Sequence, residues 1–416
     1  MDVPYLDVWS SAGPDPVQLA RSIVSCRKNE ETAFYVIDLD DLSFKLKLWR
    51  EVLPRIEPHY AVKCNFNKVI LKALVGLGVG FDCASKNEMR LLLSLGADPS
   101  KIVYAHPIKC PTYIRFAKER GIYRMTFDNE RELEKIRDHF PEALLILRLR
   151  VVEKDCYTMT DKFGCPLDNV PSVLDAMRRL GLNLHGFSFH VGSQSQEDGT
   201  SVRALRVCKD AEKIALDFGC APKLIDIGGG FDCNRGKETS FRKIAETIGT
   251  ECDSLFPASE GYEIISEPGT FFVGSACSVC AMIVGKRDLK GMTQLYLNES
   301  VYVSLHMALC GDSYIQLQPL SGSEIFEKHT VGEGLYPTRI YGVSLDGIDR
   351  IIPCWQLPEM EIGDWILLFN QGAYSETIET PFNMLESPDR YYRSSSSDVI
   401  EAVRDLCDPE ATDRVS

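Results

Sequence analysis

The sequence predicts an α/β protein, in which a closed barrel of parallel βα units is followed by a second, mainly antiparallel β domain. From about residue 32 to residue 268, short runs rich in β-branched residues alternate with amphipathic stretches, which is typical of a parallel sheet covered by helices. About eight such units close a barrel, and polar residues follow the strand candidates, where barrels place functional groups. After about residue 271 the pattern changes to short strands and turns.

The strand candidates of the barrel are short apolar runs bounded by turn residues. They cover residues 33–37, 59–64, 80–83, 102–105, 124–127, 144–149, 184–190, 223–227 and 262–266. Amphipathic segments predict helices over residues 68–75, 86–95, 112–120, 130–139, 170–180 and 201–218. The strand candidates of the second domain cover residues 277–284, 294–297, 336–342 and 365–369.

These elements divide the chain into four expected parts. Residues 1–31 form an N-terminal segment that contributes to the β domain, residues 32–270 form the barrel, and residues 271–393 form the β domain. The run RSSSS at residues 393–397 is typical of a loop. Residues 394–416 are therefore expected to form a polar tail.

Composition and charge argue against several classes of function. The net charge of −14 over 416 residues opposes binding to nucleic acid or to anionic lipid. No basic leader and no apolar run of about 18 residues is seen, so we expect a cytoplasmic protein without a membrane span. The 15 cysteines are expected to be reduced thiols. The pair Cys277 and Cys280 lacks the second pair that a zinc site needs, so no metal is expected.

Lys63 is the candidate nucleophile. It ends an apolar run, PHYAVKCN at residues 58–65, and an amine desolvated at a strand end can attack a carbonyl to form a Schiff base. An isolated lysine at this position is more often a surface residue that closes a strand. The interpretation of Lys63 as a nucleophile therefore depends on the partners that follow it in the chain.

Three later positions supply such partners, and each has a simpler structural alternative. Three glycines at 228–230 follow an apolar strand and could bind phosphate through backbone amides, although a run of this kind more often forms only a tight loop. Glu267 could pair with a pyridine nitrogen or belong to a turn. His190 could lie against a planar cofactor or pack in the core.

Taken together, the motifs resemble eukaryotic ornithine decarboxylase, a family of fold-type III pyridoxal phosphate decarboxylases. The matching segments run in the family's order from about residue 30 to 393: PHYAVKCN at 58–65, FDCASKNE at 81–88, LR at 147–148, KFG at 162–164, HVGS at 190–193, DIGGGF at 226–231, EPG at 267–269, DGID at 346–349 and GAY at 372–374. The resemblance implies an alanine-racemase-like (β/α)8 TIM barrel that binds pyridoxal 5'-phosphate, plus a C-terminal β domain.

The resemblance also implies residue roles. Lys63 would carry the cofactor, His190 would stack on its ring and Glu267 would pair with the pyridine nitrogen. The other implied cofactor contacts are Asp82, Glu88, Arg148, Ser193, Gly229, Gly230 and Tyr374. The family is a homodimer with shared active sites, and Lys162 and Asp349 match a pair that bridges its subunits.

Three departures from the family pattern alter the expected site. Thr270 stands where the family has an arginine on the phosphate, so we expect weaker cofactor binding. Leu345, before the catalytic candidate Asp346, replaces a cysteine that helps to protonate the product. Gly311 replaces an aspartate that receives the substrate's terminal ammonium, with Asp312 one residue out of register. Gly311, Asp312, Leu345, Asp346 and Phe382 are the expected substrate-pocket residues.

These departures leave three functional hypotheses. The first is a decarboxylase that favours a neutral branched amino acid such as leucine. The second is a catalytically silent regulator of polyamine synthesis resembling antizyme inhibitor, with Arg115 and Lys135 in a segment that resembles the family's antizyme-binding region. The third is ordinary ornithine decarboxylase, using Asp312 or Asp346 for the ammonium.

Overall fold

Eight parallel strands close into a barrel, and a nine-stranded mixed sheet forms a second unit. The computed structural model describes residues 5–8, 15–27, 30–151, 162–192, 199–232, 238–311 and 315–407. The chain divides into a barrel unit, Lys45–Phe66 with Leu74–Phe271, and a β unit, Met1–Phe44 with Asn67–Ala73 and Phe272–Ser416. The predicted fold class is confirmed.

The barrel strands correspond to eight of the nine strand candidates. They are β3 (Ile56–Ala61), β4 (Gly80–Cys83), β5 (Ile102–Tyr104), β6 (Arg124–Phe127), β7 (Leu144–Arg148), β8 (Leu184–Ser188), β9 (Leu224–Asp226) and β10 (Glu263–Ser266). Each pairs in parallel with the next, and β10 pairs with β3 to close the ring. Parallel strands bring all their carboxyl ends to one mouth of the barrel.

The barrel encloses an apolar core. Val103, Ile146, Leu224 and Ile265 form one buried cluster from four different strands. Inward-pointing branched side chains of this kind fill the interior of such barrels, so the interior is packed rather than open. Functional side chains are therefore confined to the mouth.

Helices follow the barrel strands. They are α3 (Lys68–Gly76), α4 (Lys86–Ser94), α5 (Pro111–Glu119), α6 (Glu130–His139), α7 (Val170–Leu180), α8 (Thr200–Asp217) and α9 (Glu238–Leu255), with α2 (Leu39–Val52) before β3 and α10 (Thr270–Val273) after β10. Ser85 and Asn129 cap α4 and α6 through their side-chain oxygens, as these residue types favour at helix starts. No helix among the described residues is long and apolar enough to cross a membrane.

The β unit is built around one long strand. Its strands are β1 (Tyr5–Val8), β2 (Phe34–Asp38), β11 (Cys277–Leu289), β12 (Met292–Leu297), β13 (Gln316–Pro319), β14 (Tyr336–Tyr341), β15 (Arg350–Leu357), β16 (Trp365–Phe369) and β17 (Asp389–Ser394). β11 pairs antiparallel with β2, β12 and β16. Helix α1 (Pro16–Cys26) buries Leu19, Ala20 and Ile23 against this sheet.

The start of the barrel differs from the expected boundary at residue 32. The first strand candidate, residues 33–37, becomes β2, which pairs with β11 and β17 instead of with a barrel strand. All five residues of β2 are buried. A strand that is buried on both faces lacks the alternation of apolar and polar residues. The sequence of residues 33–37 therefore did not show whether this strand pairs with the barrel or with the sheet of the β unit.

The C-terminal region also differs from the expected loop and polar tail. Ser394 ends β17, and α11 (Ser397–Cys407) follows and buries Val399 and Val403. The Asp40 carboxylate accepts hydrogen bonds from the Ser394 hydroxyl at 2.7 Å and from the backbone N–H of Ser395 at 2.8 Å. Serine runs favour helix starts as well as loops, which explains the error. Residues 408–416 of the expected tail lie outside the described residues.

Candidate active site

The mouth of the barrel collects side chains from the ends of several strands. Lys63 lies in a 3-10 turn, Val62–Cys64, directly after β3, and Asp82 is the penultimate residue of β4. Arg148 ends β7. His190 follows β8 by two residues, and Glu267 directly follows β10. The predicted strand-end arrangement is therefore present in the structure.

Lys63 and Asp82 form the first pair of the site. The register of β3 and β4 places Ala61 opposite Asp82, which brings the Lys63 Nζ to 2.6 Å from Asp82 Oδ2. The Asp82 side chain is 2% exposed, whereas that of Lys63 is 45% exposed. A charge-assisted hydrogen bond of this length fixes the direction of the amine. Because the Lys63 side chain is partly exposed, its amine is accessible to a ligand in the mouth of the barrel.

Glu88 lies behind this pair in the first turn of α4. Its Oε2 accepts a hydrogen bond from the Ala84 backbone N–H at 2.5 Å, and its own N–H donates to the Ser85 hydroxyl at 3.2 Å. The pairing of a capping serine with a glutamate three residues later explains this local geometry. Burial and then the nearby Asp82 charge raise the pKa of Glu88, against the hydrogen bond from Ala84.

His190 is held as a neutral imidazole. The Gly229 backbone N–H donates to His190 Nδ1 at 3.2 Å, so Nδ1 is an acceptor and the proton of the neutral ring is on Nε2. Burial, followed by the charges of Lys63 and Arg148, lowers the pKa of His190 to about 3. A neutral planar ring is suited to lie against another planar group.

The triple-glycine turn fits closely between two neighbouring loops. Gly228 has a φ of 65°, and a Cβ there would come within 2.2 Å of the Phe189 carbonyl oxygen. A Cβ on Gly229 would come within 2.4 Å of the Glu267 carbonyl oxygen. Only glycine fits in this turn, because it tolerates a positive φ and has no Cβ that would clash with the carbonyl oxygens. The turn therefore fixes His190 and Glu267 relative to each other.

The buried carboxyl group of Asp226 interacts with the carboxyl group of Glu267, which is half-buried. Burial, followed by the neighbouring Asp226 and Asp82, raises the pKa of Glu267 well above its usual value. Burial also raises the pKa of Asp226 to about 6, against the hydrogen bond from the Gly228 N–H at 2.9 Å. Asp226 Oδ2 receives no N–H or O–H donor among the described residues. Two such groups share a proton unless a cation lies beside them.

Arg148 completes the mouth. Its guanidinium lies 5.5 Å from the centre of the Phe163 ring, and the Lys162 ammonium lies 5.1 Å from the same centre. These contacts are cation–π interactions. The Cys165 backbone N–H donates to the Arg148 carbonyl at 2.8 Å and ties this segment to the end of β7.

These groups fit pyridoxal phosphate. Lys63 offers a primary amine for covalent attachment, and His190 offers a neutral ring to lie against the pyridine. Glu267 would regain its charge beside a protonated pyridine nitrogen. Gly229 and Gly230 offer a backbone turn for phosphate, and Gly230 has a φ of 97°. The individual roles of Asp82 and Arg148 stay predictions.

Tyr374 and Ser193 are two other predicted cofactor contacts. Tyr374 belongs to the β unit, in the loop after β16, with a left-handed φ of 49°. In the same loop, a Cβ on Gly372 would lie 1.7 Å from the Val273 carbonyl oxygen, so the backbone is tightly packed. The role of Tyr374 as a phosphate ligand stays a prediction. Ser193 lies outside the described residues.

The expected substrate-pocket residues lie in loops of the β unit. Gly311 ends a 3-10 turn, His306–Cys310, with a φ of 127°. Leu345 is 90% exposed. The Phe382 ring lies 4.5 Å from the Tyr302 ring, and the Tyr302 hydroxyl donates to Asp346 Oδ2. Asp312 lies outside the described residues.

The predicted subunit-bridging pair has an unexpected geometry. Lys162 is exposed, but Asp349 is only 1% exposed. The Asp349 carboxylate accepts hydrogen bonds from the Ser300 hydroxyl at 2.8 Å, the Val301 N–H at 3.0 Å and the Ser344 N–H at 3.0 Å. Asp349 thus has a structural role within its own chain, and its pairing with Lys162 of a second copy stays a prediction.

The sequence reasoning gave no role to Asp226 or Tyr302. For Asp226 a local signal exists, because an aspartate two residues before a glycine favours a turn closed by its own side chain. For Tyr302 no local signal exists, because Asp346, to which its hydroxyl is hydrogen-bonded, lies 44 residues later in another loop.

Comparison with known proteins gives consistent matches. Residues 39–274 match the family described as "Pyridoxal-dependent decarboxylase, pyridoxal binding domain". Ornithine decarboxylase of Rattus norvegicus is 35% identical over 384 residues, which are 89% of this chain and 82% of that protein. Antizyme inhibitor 2 of Xenopus laevis is 34% identical over 376 residues, which are 87% of this chain and 81% of that protein.

The fold matches solved structures as well. The arginine decarboxylase of Paramecium bursaria Chlorella virus, bound to agmatine, superposes with a TM-score of 0.83. It is 32% identical, and the match covers 90% of this chain and all of that one. Lysine/ornithine decarboxylase from Vibrio vulnificus, complexed with cadaverine, has a TM-score of 0.79 at 25% identity, covering 93% of this chain and 100% of that one.

Proposed function

This chain belongs to the ornithine decarboxylase family of pyridoxal-dependent decarboxylases, and on that premise we propose that it prefers a neutral branched amino acid, such as leucine, over ornithine. The chain is a pyridoxal phosphate-dependent carboxy-lyase that acts on an amino acid. The named decarboxylases act on ornithine, arginine or lysine, whose side chains are cationic. The proposal concerns the end of the substrate farthest from the carboxyl group.

The residues at the barrel mouth support the decarboxylation chemistry. When bound, pyridoxal phosphate supplies the electron sink that accepts the electron pair left as carbon dioxide departs. Glu267 would hold the pyridine nitrogen in its protonated form, and neutral His190 would cover the ring without adding charge. Lys63 would hold the cofactor covalently until the substrate amine displaces it. Its freed amine, directed by Asp82, would then return a proton to the α-carbon.

The proton source distinguishes this chain from the family pattern. Leu345 stands where the family has a cysteine, and its side chain has no proton to donate. The α-carbon must therefore be protonated by Lys63 Nζ or by water. Because Leu345 directs no proton to the α-carbon, we expect the holoprotein to lose activity slowly during turnover.

The observation that carries the substrate preference is the loss of two polar groups from the expected pocket. Gly311 stands where the family has the aspartate that receives an ammonium, and Leu345 adds an apolar side chain. A cationic side chain then lacks a partner, while a branched apolar one gains contact area. Removing a hydrogen-bonding partner of a charged group changes selectivity by about tenfold to a hundredfold.

The test is an assay of carbon dioxide release by the purified holoprotein with leucine, ornithine and lysine. We expect the highest kcat/KM for leucine. A strong preference for ornithine would disprove the pocket argument, and no turnover of any amino acid would disprove the catalytic proposal.

We also infer that the protein is a homodimer with shared active sites. The exposed apolar side chains of the β unit include Val343 by 40%, Leu345 by 90%, Ile348 by 56% and Met384 by 89%. Exposed apolar side chains of this size favour contact with another protein surface, and the family resemblance implies a second copy. Mixing inactive Lys63→Ala with inactive Asp346→Ala should restore part of the activity if each site uses both chains. Two variants that stay inactive when mixed would contradict the inference.

The second candidate function is a silent, antizyme-binding regulator. It is favoured by the similarity to antizyme inhibitor 2 of Xenopus laevis and by the replacements at Thr270 and Leu345. Arg115 on α5 is exposed, whereas Lys135 on α6 is half-buried, with its ammonium 2.6 Å from Glu132. A colourless protein that binds antizyme would favour this function. A visible absorption band that disappears in Lys63→Ala would favour the enzyme.

A further inference from the structure

Residues 382–385 form a tight turn that contains an unusual residue. Asn383 has a φ of 55° and Met384 has a φ of 52°. The Leu385 backbone N–H donates to the Phe382 carbonyl oxygen at 3.5 Å. Two successive left-handed residues closed by this bond are typical of a type I′ turn. Such a turn favours Asn followed by Gly, so Met384 stands where glycine would have the lower conformational energy.

Met384 gains little packing from the described part of its own chain in return for this backbone conformation, because its side chain is 89% exposed. The two-residue hairpin turn between β11 and β12 provides a comparison. There Lys290 and Gly291 also have left-handed φ values, 47° and 81°, but glycine is second. Left-handed residues that carry a Cβ are strained, and such strain is concentrated at functional sites. The conformation of Met384 therefore indicates a contact outside its own chain.

The turn is fixed against two neighbouring loops of the β unit. The Leu345 backbone N–H donates to Asn383 Oδ1 at 2.9 Å, which joins the turn to the loop that contains Leu345. The centre of the Phe382 ring lies 4.5 Å from the centre of the Tyr302 ring, which joins the start of the turn to a second loop. The direction of the Met384 side chain is therefore set by contacts on both sides of the turn.

Three apolar side chains of these connected loops are open to a ligand. Leu345 is 90% exposed, Met384 is 89% exposed and Phe382 is 38% exposed. Exposed apolar side chains on neighbouring loops favour contact with an apolar group of a ligand or partner. Leu345 and Phe382 are expected substrate-pocket residues, and Met384 follows Phe382 by two positions. The apolar end of a substrate is therefore the occupant that fits this place best.

We propose that Met384 is a specificity-determining residue, whose side chain adds to the apolar wall of Leu345 and Phe382 and contacts the branched end of the substrate. This inference rests on the proposed function and on the inferred homodimer, whose shared active site supplies the contact outside the chain. A methionine side chain is flexible and polarisable, so it adapts to a branched apolar group. It offers no hydrogen-bond partner to replace the hydration of an ammonium.

The test compares Met384→Gly, which removes the side chain, and Met384→Gln, which keeps its length but makes it polar, with wild-type holoprotein. Gly291→Met is the matched control, because it places the same side chain second in the hairpin turn between β11 and β12, where a Cβ meets no atom within 4 Å. The first readout is kcat/KM for leucine relative to ornithine. The second needs no turnover: calorimetric dissociation constants of 3-methylbutylamine and 1,4-diaminobutane, which are the amines that the two amino acids would yield.

Met384→Gly should lower the leucine-to-ornithine ratio of kcat/KM by about tenfold, mainly through a higher KM for leucine, because small losses of apolar contact in a pocket have effects of this size. It should weaken binding of 3-methylbutylamine by a similar factor and leave 1,4-diaminobutane unchanged. Met384→Gln should shift both readouts in the same direction by a smaller factor. Gly291→Met should shift neither, although its strained φ should lower the midpoint of urea unfolding.

No change in Met384→Gly, or a parallel loss for both amines, would overturn the inference, because a merely structural methionine affects both ligands alike. Dissociation of the dimer in Met384→Gly, measured by sedimentation, would also overturn it, since the side chain would then belong to the contact between copies. If wild-type protein decarboxylates no amino acid, the proposed function fails on its own, and the amine measurements still decide the role of Met384. Wild-type protein that does not bind 3-methylbutylamine would overturn both.

Discussion

The Lys63 ammonium lies 2.6 Å from Asp82 Oδ2, across two adjacent strands of the barrel. The Asp82 carboxylate is buried and therefore fixed. The Lys63 side chain is half-exposed, so its nitrogen is accessible. This geometry directs the amine into the barrel mouth, where His190 and Glu267 also lie.

The substitution Lys63→Arg tests whether this residue acts through a covalent bond or only through its positive charge. Arginine keeps the positive charge beside Asp82 but cannot form a covalent bond to an aldehyde at neutral pH. We expect loss of the absorption band of the bound cofactor and loss of measurable turnover. Lys68→Arg, on an exposed lysine at the start of α3, is the control and should match wild type. A retained band in Lys63→Arg would contradict the assignment.

Glu267→Gln tests the electrostatic partner of the pyridine nitrogen. The amide cannot stabilise a protonated ring, so we expect the absorption band to remain while kcat falls by about 100-fold or more, as when a preorganised charge contact is lost. Glu263→Gln, at the opposite end of β10 and paired with Arg124, should change kcat little. Equal effects of the two substitutions would argue against a role for Glu267 in catalysis.

Thr270→Arg restores the residue that the family pattern has on the phosphate. A charge-assisted hydrogen bond contributes about 1.5 to 3 kcal/mol. Cofactor titration of the apoprotein should therefore show a dissociation constant lower by about tenfold to a hundredfold. Thr270→Met adds length without charge and should not tighten binding. If Thr270→Arg binds the cofactor no better than wild type, other groups already compensate.

Glu299 should make the stability of the protein fall as pH rises from about 4.5 to about 8. Burial raises its pKa to about 8, with smaller contributions from Glu379 and Asp349 and against hydrogen bonds from Ser304 and Ser300. Because the folded pKa lies above the usual value of 4.5, the contribution to stability is complete below that value and is lost as pH rises through 8. Urea unfolding at pH 6 and pH 9 measures this loss.

Glu299→Gln should flatten the pH dependence and exceed wild type in unfolding free energy at pH 9. The control is Glu361→Gln, because Glu361 is exposed and pairs with Lys286 at the surface. If Glu299→Gln and wild type lose stability in parallel between the two pH values, the buried glutamate is not the group that titrates.

The barrel was predictable from the sequence because its strands carry a clear local signal. Short apolar runs alternate with amphipathic segments, and parallel closure then brings Lys63, Arg148 and Glu267 to the same mouth without any further information. The interpretation of residues 33–37 as a barrel strand was wrong, because burial on both faces removes the alternation that identifies a sheet.

The loops of the β unit were less predictable. The hydrogen bonds among Tyr302, Ser300, Asp349 and Asp346 join segments more than 40 residues apart, and no periodicity relates them. Similarly, the RSSSS run at residues 393–397 predicted a loop. In the structure it ends a strand and begins a helix, and it is hydrogen-bonded to Asp40, which lies about 350 residues earlier in the chain.

The position of β17 between β1 and β2 affects the order in which the chain can fold during synthesis. The barrel strands are complete once residue 266 has been translated, so local pairing there can begin early. The sheet of the β unit cannot be completed until residues 389–394 leave the ribosome, because β17 lies between β1 and β2, which are made first. Until then β1 and β2 have unpaired edges, and the nascent chain depends on slow, long-range closure to protect them.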